Sequence, residues 1–322
     1  MKNRKWKFVT MKLTNGANSP LRYPGGKGKI TQFVGEVLDK NQINGTYIEP
    51  FAGGAGVAIN LLLAEKVQNV VINDLDTSVY SFWLAIKNDS EKLIQYIDEV
   101  PFDVYDHAEN LTPTERFEYY SFIQKKLHDY RKKDQRTVLE AFYFFMANRI
   151  NISGIISAGP IGGRKQDGKY NISSRFNKKG LISRIRKIAQ FSDRITVTNL
   201  EASHMIDMYA RKIFGGTENT LLFVDPPYYV QGKSLYNYYA TDSIHQLTAE
   251  LLLNNIDKNW ILTYDIAPQI FELYNSDNVK KYRYSIQYSA NKRGKFDEFM
   301  FASSKLKISS YHNVQLQSIM AT

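Results

Sequence analysis

Short apolar runs alternate with helical spacings in this chain, and that alternation constrains the fold more than any other feature. Thr46 to Phe51 reads as a buried strand running into glycines, and Ala55 to Lys66 has helical apolar spacing. Asn69 to Asn73 carries Val70, Val71 and Ile72 and ends at Asp74, and Asp76 to Lys87 reads as a helix again. Strand, helix, strand, helix in sequence argues for an α/β fold with a parallel, doubly wound sheet.

The alternation then stops. Residues 89–160 are mostly helical in spacing, with a strongly apolar helix at Val138 to Ala147. Strand signals resume at Ile195 to Thr198, Leu221 to Val224, Trp260 to Tyr264, Tyr282 to Tyr288 and Glu298 to Ala302. The expected organisation is one discontinuous α/β domain, residues 19–88 and 191–303, interrupted by a mainly helical insert at 89–190. Residues 1–18 read as a loose basic arm and 304–322 as a weakly structured tail.

Composition narrows the chemistry. Cysteine is absent, which excludes disulfides, thiolate zinc sites and Cys nucleophiles, and the 5 His lack ligand spacing, so no metal is expected. No apolar run approaches the ~18 residues of a membrane span. No long apolar stretch follows the basic N-terminus, so a soluble intracellular protein is expected. The net charge of +10 favours a polyanionic partner. That charge is uneven: residues 164–194 hold ten Lys/Arg against two Asp, whereas residues 89–130 hold ten acids and four bases. The front of the insert is therefore expected to face away from a polyanion.

Three motifs point to a site. F-A-G-G-A-G, Phe51 to Gly56, lies at a strand-to-helix turn. Glycines there let a ligand approach the backbone, and the helix that follows begins with free N–H groups. Counted from Gly54, the sixth position is Ile59, so the dinucleotide pattern G-x-G-x-x-G fails and a nicotinamide oxidoreductase is disfavoured. Asp74, at the end of the next strand, is placed to accept both ribose hydroxyls of a nucleoside-like cofactor. A plain glycine turn with a helix-capping Asp stays open as the alternative.

R-Y-P-G-G-K, Arg22 to Lys27, looks like a phosphate loop, but Leu21 stands where the first glycine is needed and no Ser or Thr follows Lys27. A nucleotide triphosphatase is disfavoured, and a plain turn remains possible. D-P-P-Y, Asp225 to Tyr228, follows the apolar run Leu221 to Val224. Two prolines stop the strand, leaving a carboxylate, a rigid carbonyl and an aromatic together at its carboxyl end. That set suits a planar amine such as adenine's, whose lone pair is delocalised into the ring. Asp225 and the Pro226 carbonyl would accept its two hydrogens, and Tyr228 would stack on a base swung out of its helix. A proline-stopped strand with a buried Tyr is the bland reading.

In this order the motifs resemble the alpha-type DNA adenine methyltransferases related to Dam, over roughly residues 19–303. The resemblance takes in N-R-x-x-x-S-G, Asn148 to Gly154, and R-F-N, Arg175 to Asn177. It implies a Rossmann-like methyltransferase sheet and S-adenosylmethionine as donor. It also implies transfer to the exocyclic amine of a flipped adenine in double-stranded DNA, without a metal, because the leaving group is already cationic. By motif position, Tyr23 and Lys27 would contact the cofactor end of the site. Phe51, Gly53, Gly54 and Gly56 would pass under its methionine part, Asp74 would hold the ribose, and Asp225 would lie between cofactor and adenine. The loop Ile155 to Tyr170 departs from the family's target-reading hairpin. The implied setting is a restriction–modification system, with a cognate restriction endonuclease acting separately, or a phage; the compartment is the cytoplasm of a bacterial or phage-infected cell.

The insert would be the target-recognition module. Arg149, Asn151 and Ser153, just beyond the apolar helix, are expected DNA contacts. Arg164, Lys165, Lys169, Arg175, Lys178 and Lys179 are expected to track phosphates, with a solvated basic face as the alternative. Methylation of RNA or of a protein glutamine, and a non-catalytic DNA-binding role, are the competing functions; the intact D-P-P-Y opposes the last.

Overall fold

The computed structural model describes residues 12–16, 18–105, 111–229, 242–288 and 294–319. The basic arm up to residue 11 lies outside them. Five strands are parallel neighbours: β1 (Thr46–Glu49), β2 (Asn69–Asn73), β3 (Ile195–Thr198), β4 (Thr220–Val224) and β5 (Trp260–Asp265). β6 (Val279–Tyr288), β7 (Gly294–Ser303) and the short β8 (Gln317–Ser318) extend the sheet antiparallel. The order is β3-β2-β1-β4-β5-β7-β6-β8. This is a Rossmann-like methyltransferase sheet. Strand order reverses between β1 and β4, so a crevice opens at their carboxyl ends, where ligands bind in such sheets.

Both faces are covered, so every residue of β1 and β4 is buried, the polar Thr46, Glu49 and Thr220 included. Side chains alternate between the faces. Tyr47, Leu221 and Phe223 join one apolar cluster, Ile48, Leu222 and Val224 the other. The first face carries α1 (Thr31–Lys40), α2 (Gly56–Leu63) and α3 (Thr77–Asn88). The second carries α8 (Ala202–Ala210), α9 (Asp242–Leu253) and α10 (Pro268–Leu273).

Between α3 and β3 lie α4 (Ser90–Asp98), α5 (Pro113–Lys133), α6 (Val138–Ile150) and α7 (Lys178–Ala189). These helices share a continuous apolar cluster with the first face, through α6 on α3, where the rings of Phe82 and Phe145 stack 5.6 Å apart. Truncating a ring so buried costs about 3–5 kcal/mol. α5 opens with a capping box, Thr112 and Glu115 bonding each other's backbone N–H groups. Arg131 of α5 pairs with Asp76, the residue that caps α3, at 3.0 Å.

The weakly structured tail is corrected for residues 304–319. Leu306 and Val314 are fully buried, and β8 pairs with Tyr282 and Arg283. Two apolar anchors and an available sheet edge suffice to fix a polar segment that shows no periodicity of its own. Among the described residues no helix is long and apolar enough to cross a membrane.

Candidate active site

A cavity of about 300 Å³ opens at the carboxyl ends of β1, β2 and β4. This is small-molecule scale and far too small for a duplex. At the end of β1, Glu49 accepts from the Tyr47 hydroxyl (3.1 Å) and from the Ala58 N–H (3.2 Å) in the first turn of α2. Burial pushes its carboxyl up to about 8. At the end of β2, Asp74 Oδ2 accepts the Gly53 N–H (2.8 Å) and Oδ1 the Asp76 N–H (2.9 Å). Burial, with help from the Asp76 charge, pushes the Asp74 carboxyl up to about 7.

The glycine loop is held from both sides. Trp83 Nε1 donates to the Gly53 carbonyl at 2.9 Å, while Tyr23 lies on the opposite side. Gly53 has φ +46°, and a Cβ there would stand 2.5 Å from the Tyr23 ring, so a glycine is required. Ala55, the N-cap of α2, also has left-handed φ (44°) and no side-chain cap. A non-glycine residue in that region is uncommon and marks local strain of the kind that clusters at ligand loops.

Beyond β4, Asp225 Oδ1 accepts from Lys27 Nζ (2.7 Å) and from Thr263 Oγ1 (2.7 Å). Lys27 Nζ also lies 3.6 Å from Glu298 Oε2, and its ammonium stands 5.2 Å from the Tyr228 ring centre. Glu298, on β7, accepts from the Tyr228 hydroxyl (2.5 Å) and the Tyr284 hydroxyl (2.5 Å). Burial opposes the Lys27 ammonium, but the Asp225 and Glu298 charges outweigh it and raise the lysine above its ordinary value. Burial raises the Asp225 carboxyl, against the pull of Lys27.

The cavity wall contains Tyr23, Lys27, Phe51, Gly53, Gly54, Gly56, Asp74 and Asp225 together. Pro227 lines it, whereas Pro226 and Tyr228 do not. Tyr228 is 9% exposed, its hydroxyl turned to Glu298. Sequence reasoning missed Glu49, Thr263 and Glu298. A signal existed for both acids, since Glu49 ends the short strand T-Y-I-E and Glu298 precedes the apolar run F-M-F-A within its strand.

Two expected DNA contacts are corrected. Asn151 is fully buried; its amide donates to the carbonyls of Ile155, Ile156 and Ala158 and accepts from Gln124. Arg149 is 9% exposed, and its guanidinium donates to the Arg175 and Pro20 carbonyls. Asn151 thus pins the loop at residues 155–158, and Arg149 ties Pro20 to Arg175. In the same motif Asn148 accepts the Arg22 N–H (2.8 Å) and donates to the Arg22 carbonyl (2.7 Å), while Gly154 (φ +77°) abuts the Arg22 backbone.

Lys178 is half-buried, and its ammonium donates to the carbonyls of Asp98 and Val100, fastening α7 to the end of α4. Ser153 is partly exposed, with left-handed φ (57°). Arg164, Lys165, Lys169, Arg175 and Lys179 are exposed.

Residues 23–293 match the family described as D12 class N6 adenine-specific DNA methyltransferase. Among curated proteins, the "Type II methyltransferase M.MjaIII" of Methanocaldococcus jannaschii is 24% identical over 275 residues, covering 81% of this chain and 89% of that protein.

Proposed function

Because the chain belongs to the D12 class of N6 adenine-specific DNA methyltransferases, we propose that the cavity at β1, β2 and β4 is its active site, with Asp225 as the acceptor for the adenine amine. The geometry at Asp225 carries this reading. Its Oδ1 is occupied by Lys27 and Thr263, while Oδ2 accepts no bond among the described residues; the side chain is 20% exposed in the cavity wall. One oxygen anchors the carboxylate and the other is available to a substrate N–H.

A methyltransferase requires a methyl donor, and the wall suits S-adenosylmethionine. Carboxyl groups of Glu49, Asp74 and Asp225 offer hydrogen-bond acceptors to a hydroxyl- and ammonium-bearing ligand, and Phe51, Leu75 and Leu200 offer apolar surface for a base. Asp74 would accept the ribose hydroxyls, and Phe51, Gly53, Gly54 and Gly56 would lie under the methionine part. Tyr23 and Lys27 would close the end of the site. When bound, the donor supplies a methyl group on a positively charged sulfur that leaves as a neutral thioether.

The chain's own part is positioning and polarisation. Asp225 and the Pro226 carbonyl accept the two amine hydrogens and direct the nitrogen lone pair at the methyl carbon. As the amine nitrogen takes up the methyl group, its surplus proton would leave through the Asp225 carboxylate. Tyr228 offers its ring to the extruded base. Residues 89–190 act as the target-recognition module on the discontinuous catalytic domain 19–88 and 191–303. Arg164, Lys165, Lys169, Arg175 and Lys179 contact phosphates, and Ser153 lies beside them. The setting is a restriction–modification system or a phage, in the cytoplasm, with a cognate endonuclease as a separate protein in the first case.

The test is single-turnover methylation of unmethylated plasmid DNA at saturating S-adenosylmethionine. Folded Asp225→Ala should lose nearly all methyl transfer while keeping most donor affinity. Near-normal turnover would remove Asp225 from the reaction.

A further inference from the structure

Glu298 stands in the middle of β7, followed by Phe299, Met300 and Phe301, and its side chain is 2% exposed. A carboxylate buried in a sheet is costly unless its oxygens are bonded, and an apolar residue would hold the sheet at least as well. Both oxygens are bonded, and one of the partners belongs to D-P-P-Y. Oε1 takes the Tyr228 hydroxyl and Oε2 the Tyr284 hydroxyl, each at 2.5 Å. Register explains the second contact, since Glu298 lies directly opposite Tyr284 on β6. The first spans 70 residues and joins the antiparallel part of the sheet to the active-site loop.

Glu298 also shares Lys27. The ammonium contacts Asp225 at 2.7 Å, the Gly25 carbonyl at 3.2 Å and the Tyr228 hydroxyl at 3.4 Å, with Glu298 at 3.6 Å. One positive charge thus stands between two carboxylates. Were Glu298 neutral, the Lys27 charge would fall more fully on Asp225 and would blunt it as a hydrogen-bond acceptor.

We infer that Glu298 is a positioning residue for methyl transfer, fixing Tyr228 through its hydroxyl and holding Lys27 off full neutralisation of Asp225. The inference rests on the assignment of Asp225 as the amine acceptor. Glu298 itself touches no reacting atom; it acts through Tyr228 and Lys27.

The experiment compares Glu298→Gln, Tyr228→Phe, their double variant and Tyr284→Phe in the full chain. Single-turnover methylation of unmethylated plasmid DNA gives the rate, and calorimetry with S-adenosylmethionine gives donor affinity. Removing a hydrogen bond to a charged group should lower the rate about tenfold to a hundredfold in each of the first two variants. Donor affinity should change little, and the double variant should be no slower than the slower single, because both changes break one linkage. Tyr284→Phe should lower the melting temperature as much and the rate less.

Wild-type rate in folded Glu298→Gln, or additive losses in the double variant, would overturn the inference. Should Glu298→Gln not fold, Tyr228→Phe decides, because it keeps the carboxylate and removes only the hydroxyl; wild-type rate there overturns it equally. Asp225→Ala run alongside separates the two readings. A fully active Asp225→Ala defeats the catalytic assignment, whereas an inactive one beside wild-type Glu298→Gln and Tyr228→Phe defeats only the role of Glu298.

Discussion

The Lys27 ammonium lies 2.7 Å from the Asp225 carboxylate, although 198 residues separate them in the chain. Breaking a buried pair strands a charge, so Lys27→Met should destabilise the fold by about 3–5 kcal/mol in denaturant melts. It should also remove the positive charge of Lys27, which holds the Asp225 carboxyl down against burial. The acid limb of the rate profile should then move to higher pH. An unmoved limb would show that the lysine does not control the carboxylate.

Asp74 binds the glycine loop and, in our reading, the donor ribose. Asp74→Asn should weaken S-adenosylmethionine binding by about 1.5–3 kcal/mol, the loss of a charged acceptor. Its carboxyl lies at about 7, so wild-type affinity should tighten as pH rises through that value, while the Asn variant responds little. Calorimetry across that range reads both effects, and equal pH dependence in the two proteins would refute the ribose assignment.

Glu49 makes a stability prediction. Its folded carboxyl lies at about 8 against an ordinary value of 4.5, so the folded state holds the proton more tightly than the unfolded chain. The stability this contributes is complete below the ordinary value and is lost as pH rises through the folded one. The donor-free protein should therefore melt at a higher temperature near pH 5 than near pH 8, by a contribution on the order of a few kcal/mol. Glu49→Gln should flatten that slope; a slope as steep as wild type in the variant would place the effect elsewhere.

DNA affinity should separate the exposed lysines from the fastened one. Replacing Lys165 and Lys169 with Gln should make the fall of log K with log salt shallower by up to about two units, with little change in sequence preference. Lys178→Gln should leave that slope alone and lower thermal stability, because its ammonium holds α7 to α4. The reverse pattern in salt titrations would reassign the basic surface.

Much of the catalytic centre is local enough to be read from residues. Glycine at 53 and 54, Asp at the end of β2 and two prolines after β4 are each imposed by a turn or a strand end, and the chain shows them in place. A strand's carboxyl end is already an address in a parallel sheet, so Asp74 and Asp225 could be brought to one crevice from residues alone, whereas Tyr23 is placed there only by the family resemblance. Arg149 and Asn151 could not be read in that way. Their side chains look equally polar in sequence whether they meet a phosphate or a backbone carbonyl, and only the path of residues 151–160 and of Pro20 decides which.

By itself, then, the sequence determined most of the strands, the doubly wound character of the parallel part of the sheet and the loops that border the cavity, because periodicity, glycine and proline act within a few residues. The tertiary structure decided the partnerships. That Lys27 bridges Asp225 and Glu298, that the Tyr228 hydroxyl is bound to a strand 70 residues away, and that Leu306 and Val314 anchor the C-terminal segment all depend on which groups lose water together. Burial sets the strength of a charge and the need for a partner, and burial is a property of the assembled sheet and helices rather than of any stretch of chain.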